Sequence, residues 1–349
     1  MSGYLIAGPS WVGDMVMAQS LLISLKQRNP DSPIDVIAPS WSVAVAQRMA
    51  EVREAIALSI SHREIGWSKR RALGRSLRSR DYAQAIVLPR SLKSALVPWL
   101  ARIPRRTGYR GEWRYGILND VRQATAGRTI SPARHWLALG YPPDAVLPAA
   151  LPHPRLRADL ENQSRLVRTL GLRIDAPVVA LVPGGEHGSA KRWPVEYFAR
   201  LARALTQRET AVWVLGSARE AALAEAIATQ AGAGVTNLCG RTTIPDAIDL
   251  LALADGVVCN DSGLMHVAAS VGAFIVALYG PTTPGHTRPL TDNCRLIYLD
   301  LECSPCFANE CPLGHHNCMR QITPDVVSEA LLDRLASSPV VSRLHSPRP

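Results

Sequence analysis

The stretch YLIAGPSWVGDMVMAQSLLISLKQR, residues 4–28, carries the reading of the fold. Residues 4–8 form a short apolar run that Pro9 closes, the mark of a buried strand. Beyond it, over 14–28, the apolar residues Met15, Ala18, Leu22 and Leu25 recur at helical spacing. A strand, a tight connection and a helix make half of a β-α-β unit. The rhythm continues outward: a strand over 34–38, a short helix over 43–49, a strand over 55–58. A basic amphipathic stretch spans 67–80, a strand spans 85–88 before Pro89, and a helix spans 92–101. Alternating short strands and helices predict a parallel sheet covered on both faces.

Residues 131–157 carry Pro132, Pro142, Pro143, Pro148, Pro152 and Pro154 and read as irregular linker or surface structure. A helix is expected over 157–170. The alternation then restarts, with strands at 178–182, 211–215, 256–259 and 273–279. Helices are expected at 195–207, 218–230, 244–254 and 264–271, and a last helix opens at Thr323-Pro324. Two Rossmann-like α/β domains follow, 1–165 and 166–349, with the final helix free to pack back on the first. Ligands in such sheets bind beyond the carboxyl ends of the strands, so two facing domains would place a site in a cleft.

The chain's 349 residues fit two domains, and 47% hydrophobic residues exclude disorder as the main state. No apolar run reaches the roughly 18 residues that span a bilayer. The first residues lack a basic segment, and Asp14 interrupts the apolar stretch, so no secretory signal is expected and the protein is expected in the cytoplasm. Lys and Arg total 39 against 29 Asp and Glu, a net charge of +10, which favours a polyanionic partner or a phosphorylated substrate. Aromatic residues are 5%, too few for single-strand stacking platforms.

Five motifs can carry chemistry. Gly8-Pro-Ser-Trp-Val-Gly-Asp14 follows the first strand and is not a dinucleotide fingerprint; Asp14 is either an N-cap carboxylate or a general base. Pro183-Gly184-Gly185 opens a loop ending in Lys191-Arg192-Trp193-Pro194. Its amides and cations suit a phosphate, and the alternative is a solvated turn. Asn260-Asp261-Ser262-Gly263-Leu264-Met265-His266 would set the Ser262 and Gly263 amides at a helix start, where anions are favoured. There Asp261 also reads as a cap and His266 as a core histidine. Cys303, Cys306, Cys311 and Cys318, with His315 and His316 among them, read as a structural zinc site, as reduced loop cysteines, or as redox groups. Basic residues crowd the first half at 69–80 and 90–114, the latter interleaved with Gly108, Tyr109, Gly111 and Trp113, a mix that suits an anionic ligand.

Together these blocks resemble the bacterial ADP-heptose:lipopolysaccharide heptosyltransferases of glycosyltransferase family 9. The resemblance is carried by GPSWVGDMVMAQSL from Gly8, LPRSLKSALVPW from Leu88 and IPRRTGYRGEWRYGILNDVR from Ile103. It continues through PGGEHGSAKRWP from Pro183, VLGSARE from Val214 and CNDSGLMHVAASVGAFIVALYGPTTP from Cys259. It implies a GT-B fold and inverting transfer of L-glycero-D-manno-heptose from ADP-heptose to heptosyl-Kdo2-lipid A. Asp14 becomes the general base and Lys191 the cation on the departing diphosphate. Gly184, Gly185, Glu220, Asp261, Ser262, Gly263 and His266 become donor-binding residues, and Lys93, Arg106 and Arg110 acceptor-binding ones. No catalytic cofactor is implied, so a zinc on the four cysteines would be structural. The implied setting is peripheral, at the anionic inner face of the cytoplasmic membrane, without nucleic acid. The rival expectations are a family 9 transferase acting at another core position and a basic non-enzymatic nucleotide or nucleic-acid binder, for which no helix-turn-helix or RNA-motif signature exists.

Overall fold

The computed structural model describes residues 3–60, 64–124, 130–185 and 188–336. It divides into two compact units, one ending at Arg155 and the other beginning at Leu156. In the first unit the chain runs β1 (Gly3–Ala7), α1 (Val12–Arg28), β2 (Ile34–Ala38), α2 (Ser40–Ala46), β3 (Val52–Ala57) and α3 (Trp67–Ser76). It continues through β4 (Tyr82–Val87), α4 (Leu92–Leu100), β5 (Arg105–Tyr109), β6 (Asp120–Arg122) and α5 (Pro132–Leu139). A 3-10 turn, Leu77–Arg80, extends α3. The second unit holds α6 (Leu160–Leu170), β7 (Val178–Val182), α7 (Val195–Thr206), β8 (Ala211–Val214), α8 (Ala221–Ala231), β9 (Val235–Asn237) and α9 (Ile244–Leu253). Then follow β10 (Gly256–Asn260), α10 (Gly263–Ser270), β11 (Phe274–Tyr279), α11 (Pro284–Thr287), β12 (Cys294–Tyr298), α12 (Asn317–Arg320) and α13 (Pro324–Ala336).

Each unit is built on one six-stranded sheet, ordered β3-β2-β1-β4-β5-β6 and β12-β11-β10-β7-β8-β9. Every pairing is parallel; Ile6 sits between Val36 and Ile86, and Val258 between Leu181 and Val276. Strands buried on both faces need continuous apolar runs, and β2, β7 and β10 are buried throughout. The strand order reverses at β1/β4 in one sheet and at β7/β10 in the other, and it is beyond such switch points that α/β sheets open a ligand crevice. The Gly8–Asp14 and Pro89–Lys93 connections flank the first; the Pro183–Lys191 and Asp261–Gly263 connections flank the second.

The structure departs from the sequence expectations in three places. A boundary at 165/166 would cut α6, which lies wholly in the second unit. The proline-rich middle contains the helix α5, because Pro132 occupies its first turn and the Ser131 hydroxyl caps the Arg134 N–H. Strands β5, β6, β9 and β12 have no counterpart among the expected strands; they lie toward the sheet edges and carry polar or exposed positions. The last helix, α13, packs on α7, β10 and β11 of the second unit.

Candidate functional site

In the second unit the switch point is organised by Asn260, which is fully buried at the end of β10. Its amide Nδ2 donates to the Pro183 carbonyl at 2.8 Å and the Gly184 carbonyl at 3.4 Å, and its Oδ1 accepts the Trp193 N–H at 3.3 Å. One side chain thus pins both ends of the glycine loop. Trp193 anchors the far end: it is 1% exposed, its indole N–H donates to Ile322, and its ring meets Phe198 edge-on at 4.8 Å. Burial of a ring this size stabilises by about 1.5–3 kcal/mol.

Between these anchors Lys191 reaches Asp261, Nζ to Oδ2 at 2.8 Å, and the Thr282 hydroxyl donates to the same oxygen at 2.7 Å. Burial alone would raise the Asp261 carboxyl, but the Lys191 charge and the two hydrogen bonds outweigh it and hold its pKa below the usual range. Asp261 is therefore an anion that fixes a cation, not a cap. The N-cap of α10 is Ser262, whose side chain makes no capping bond and whose Oγ is buried without a partner. That orphan hydroxyl lies at a helix N-terminus, where backbone donors and the macrodipole favour an anion. His266 is buried, and burial drives its pKa to about 4 despite the Asp261 charge, so it is a neutral imidazole at physiological pH. Glu220 closes a capping box with Ser217, accepting its N–H at 2.8 Å; its side chain also lies where a Cβ on Gly184 would sit, 2.8 Å from Cγ. It shapes the glycine loop from below. Gly185 is half-buried beside it. Glu186 and His187 of this loop lie outside the described residues.

The cysteine-bearing segment braces both walls of this site. The Asn309 carbonyl accepts the Ala190 N–H at 3.1 Å and comes so near Gly188 that a Cβ there would lie 1.9 Å from it, with Gly188 at φ +77°. Only glycine fits. Phe307 N–H donates to Pro281 at 2.7 Å and the Ser304 hydroxyl donates to the Gly280 carbonyl, beside Thr282. Burial, then the neighbouring Cys303, Cys306 and Cys311, push the Cys318 thiol up to about 11, whereas backbone N–H groups led by His316 lower that of Cys311. Among the described residues, however, no three His, Cys, Asp or Glu side chains gather as a metal-holding group. The segment is held by its own backbone bonds.

In the first unit a cleft opens at the carboxyl ends of β1 to β4, lined by Gly8, Ser10, Trp41, Arg70, Ser91 and Lys93. Asp14 stands in the first turn of α1, two residues past Val12, with Trp11 as the N-cap. It is not the cap. Burial raises its pKa from the usual 3.8 to about 6. The opposite rim, 89–92 and 109–114, is tied by Arg114, which sequence reasoning places among the surface cations. It is 2% exposed, donates to the carbonyls of Pro89, Ser91 and Tyr109, and burial depresses its pKa to about 10. Arg90 adds a bond to the Arg110 carbonyl at 3.1 Å, and Glu112 accepts the Leu92 N–H at 2.9 Å. Gly111 allows the close approach, since a Cβ would stand 2.2 Å from the Arg90 carbonyl. Lys93 and the exposed Arg110 therefore lie at the carboxyl end of the sheet. Arg106 does not join them. It is the second residue of β5, at the amino end, and its guanidinium donates to the Ile103 and Ile117 carbonyls at 2.5 and 2.6 Å.

Residues 70–317 match the family described as Glycosyltransferase family 9 (heptosyltransferase). The Lipopolysaccharide heptosyltransferase 2 of Escherichia coli (strain K12) is 40% identical over 336 residues, covering 94% of this chain and 97% of that protein. The solved structure of E. coli ADP-heptose lps heptosyltransferase II aligns at a TM-score of 0.85 and 40% identity, over 96% of this chain and 98% of the other. E. coli heptosyltransferase WaaC with ADP-2-deoxy-2-fluoro heptose shares the fold at a TM-score of 0.65 and 19% identity, over 95% and 99% of the two chains.

Proposed function

This chain belongs to glycosyltransferase family 9, and from that premise we propose that it is a lipopolysaccharide heptosyltransferase moving L-glycero-D-manno-heptose from ADP-heptose, with inversion, onto the first heptose of the inner core. The observation that carries the reading is the pairing of chemistries at the two switch points. One offers a carboxylate whose pKa of about 6 suits proton abstraction near neutrality. The other offers a fixed ammonium, an orphan hydroxyl and a helix N-terminus, which together suit a diphosphate.

In this mechanism the Asp14 carboxylate takes the proton of the acceptor hydroxyl as its oxygen bonds to the anomeric carbon. The bond from that carbon to the β-phosphate oxygen breaks, and ADP leaves with the electron pair. Lys191 retains N–H donors beyond the one given to Asp261 and meets the charge that grows on the diphosphate. The Ser262 hydroxyl and the Ser262 and Gly263 amides hold the same group. Asp261 and Thr282 position Lys191, Asn260 positions the glycine loop, and neutral His266 supports α10 without competing for the phosphate. Gly184 and Gly185 let the loop backbone approach the donor, with Glu220 beneath. No catalytic metal is needed where amides and a cation do this work.

On the acceptor side, Lys93 and Arg110 take the negative charges of the Kdo–lipid A region. Arg106 keeps a structural role in this reading. The acceptor is lipid-borne, and no described helix is long and apolar enough to cross a membrane, so the enzyme works as a peripheral protein at the cytoplasmic face of the inner membrane. The test is direct. Incubation with ADP-heptose and heptosyl-Kdo2-lipid A should release ADP and add one heptose to the acceptor mass. Transfer only to an acceptor with a different core would assign another position, and no transfer with retention on DNA would favour a basic binding protein.

A further inference from the structure

Residues 67–102 contain nine lysines and arginines and a single acid, Asp81. Some of these cations are committed to the fold. Arg80 pairs with Glu54 and Asp35, and Arg70 is buried against the Ile65 carbonyl. Others are not. Trp67, Arg71, Arg75 and Arg78 recur at helical spacing and share one exposed face of α3 and its 3-10 extension. The opposite face, Arg70, Gly74 and Leu77, is buried.

That face is rigidly placed. Gly74 lies against Leu100, so that α3 packs closely on α4. Arg78 Nε donates to the Leu100 carbonyl at 3.0 Å, which brings Arg102, exposed and at φ 58°, alongside the stripe. Slight desolvation and then the charges of Arg102, Arg75 and Arg71 lower the Arg78 pKa, so the four guanidiniums stand close enough to repel one another. Among the described residues none of the four forms an ion pair. Repelling cations held together want a dense anionic surface rather than one counterion.

The aromatic residues point to the kind of surface. Trp67 at the start of the stripe is 49% exposed and Trp99 beside Leu100 is 41% exposed. Indoles and long cationic side chains are the groups that settle at the headgroup level of a bilayer. Nucleic acid lacks the apolar layer that such indoles would enter. Moreover α3 starts after β3, at the carboxyl end of the sheet, and Arg70 from the same helix lines the cleft.

We propose that the Trp67–Arg71–Arg75–Arg78 face of α3, with Trp99 and Arg102 at the end of α4, is the surface on which this protein rests against an anionic phospholipid leaflet. The proposal rests on the reading that the acceptor is lipid-borne. The Trp67 end of that face is the end nearer the cleft, so docking there brings that side of the sheet to the headgroups from which the acceptor rises.

The experiment is flotation of the full chain with vesicles of phosphatidylcholine alone and of phosphatidylcholine with phosphatidylglycerol. It is run on the wild type, on R71Q/R75Q/R78Q and on R71K/R75K/R78K, together with heptose transfer to a deacylated, water-soluble acceptor. The wild type and the lysine variant should float only with the anionic vesicles. The glutamine variant should lose about 10²-fold in partitioning, at about five-fold per cation near an anionic leaflet. All three should transfer equally to the soluble acceptor. Equal flotation of wild type and glutamine variant would overturn the proposal, as would a matching loss of turnover on the soluble acceptor, which would make the stripe a headgroup-sugar site. A wild type inert on the soluble acceptor counts against the transferase reading, and the vesicle arm still judges the surface.

Discussion

Replacing Asp14 by Asn should make the protein more stable and nearly inactive. Burial raises this carboxyl from 3.8 to about 6, and at about 1.4 kcal/mol per pH unit the ionised form carries about 3 kcal/mol of unfavourable free energy at pH 7. Its place in the first turn of α1 returns a part of that, roughly 0.3–1 kcal/mol from the helix dipole. An amide of the same shape carries neither charge term, so the net gain should be about 2 kcal/mol. A folded-state pKa above the unfolded one means stability that is full below the unfolded pKa and lost as pH rises through 6. The wild type should therefore gain stability as pH falls from 7 toward 4, while the Asp14→Asn variant lacks this contribution to the slope. The two proteins should converge in acid, and chemical denaturation at several pH values reads both quantities. In parallel the loss of a general base should cost about 10²–10⁴-fold in kcat. For the wild type, kcat/KM should fall about tenfold per pH unit below 6. Refutation would be a variant less stable than wild type at pH 7, or one that keeps half its turnover. The first would mean that the charge is satisfied by a partner, and the second that another group takes the proton.

Lys191→Ala should lower kcat and raise the donor KM while leaving the acceptor KM in place; a change confined to the acceptor would reassign the residue. The same variant strands the buried Asp261 carboxylate, a loss of about 3–5 kcal/mol near neutral pH. Because Asp261 has a depressed pKa, its contribution is present above the unfolded value and lost as pH falls, so the stability difference should shrink in acid. K191A/D261N should recover stability without recovering turnover. Asn260→Ala removes three bonds to the glycine loop and should cost about 1–3 kcal/mol and weaken ADP binding by calorimetry, with the soluble-acceptor KM unchanged. Raising salt should increase the acceptor KM more than the donor KM, since attraction over more than about 8 Å is screened and the donor is held at contact range. Charge reversal at Arg110 should act in the same direction, and equal effects on both substrates would place the acceptor elsewhere.

The parts of this molecule legible in its sequence are those written in local pattern. Runs such as Val178–Val182 and Gly256–Asn260 announce buried parallel strands, and the glycines and polar residues after them mark the loops at both switch points. What stays hidden depends on partners far along the chain. Arg106 and Arg110 are alike in sequence, but β5 puts one at its amino end and the other past its carboxyl end, so only one lies at the end of the sheet where the cleft opens. Arg114 reads as one more surface cation until its three carbonyl partners are known. Thr282 gives no signal, because its meaning is a bond to Asp261 across 21 residues. Short edge strands such as Asp120–Arg122 escape because most of their positions are polar, and α5 because prolines that break a helix interior also start one.

The segment carrying Ser304, Phe307 and Asn309 touches the lysine loop through Ala190 and the Thr282 loop through Gly280 and Pro281. A shared abutment couples the loads it carries. The ammonium and the hydroxyl that converge on Asp261 are set not only by their own strands but by a common tie outside the sheet. Any drift of that tie displaces them in concert and leaves their mutual spacing intact. Drift of this kind would move donor affinity and leaving-group stabilisation as one quantity. Substitutions in this outlying segment are then a means of tuning, as a block, the group of residues proposed to hold the nucleotide.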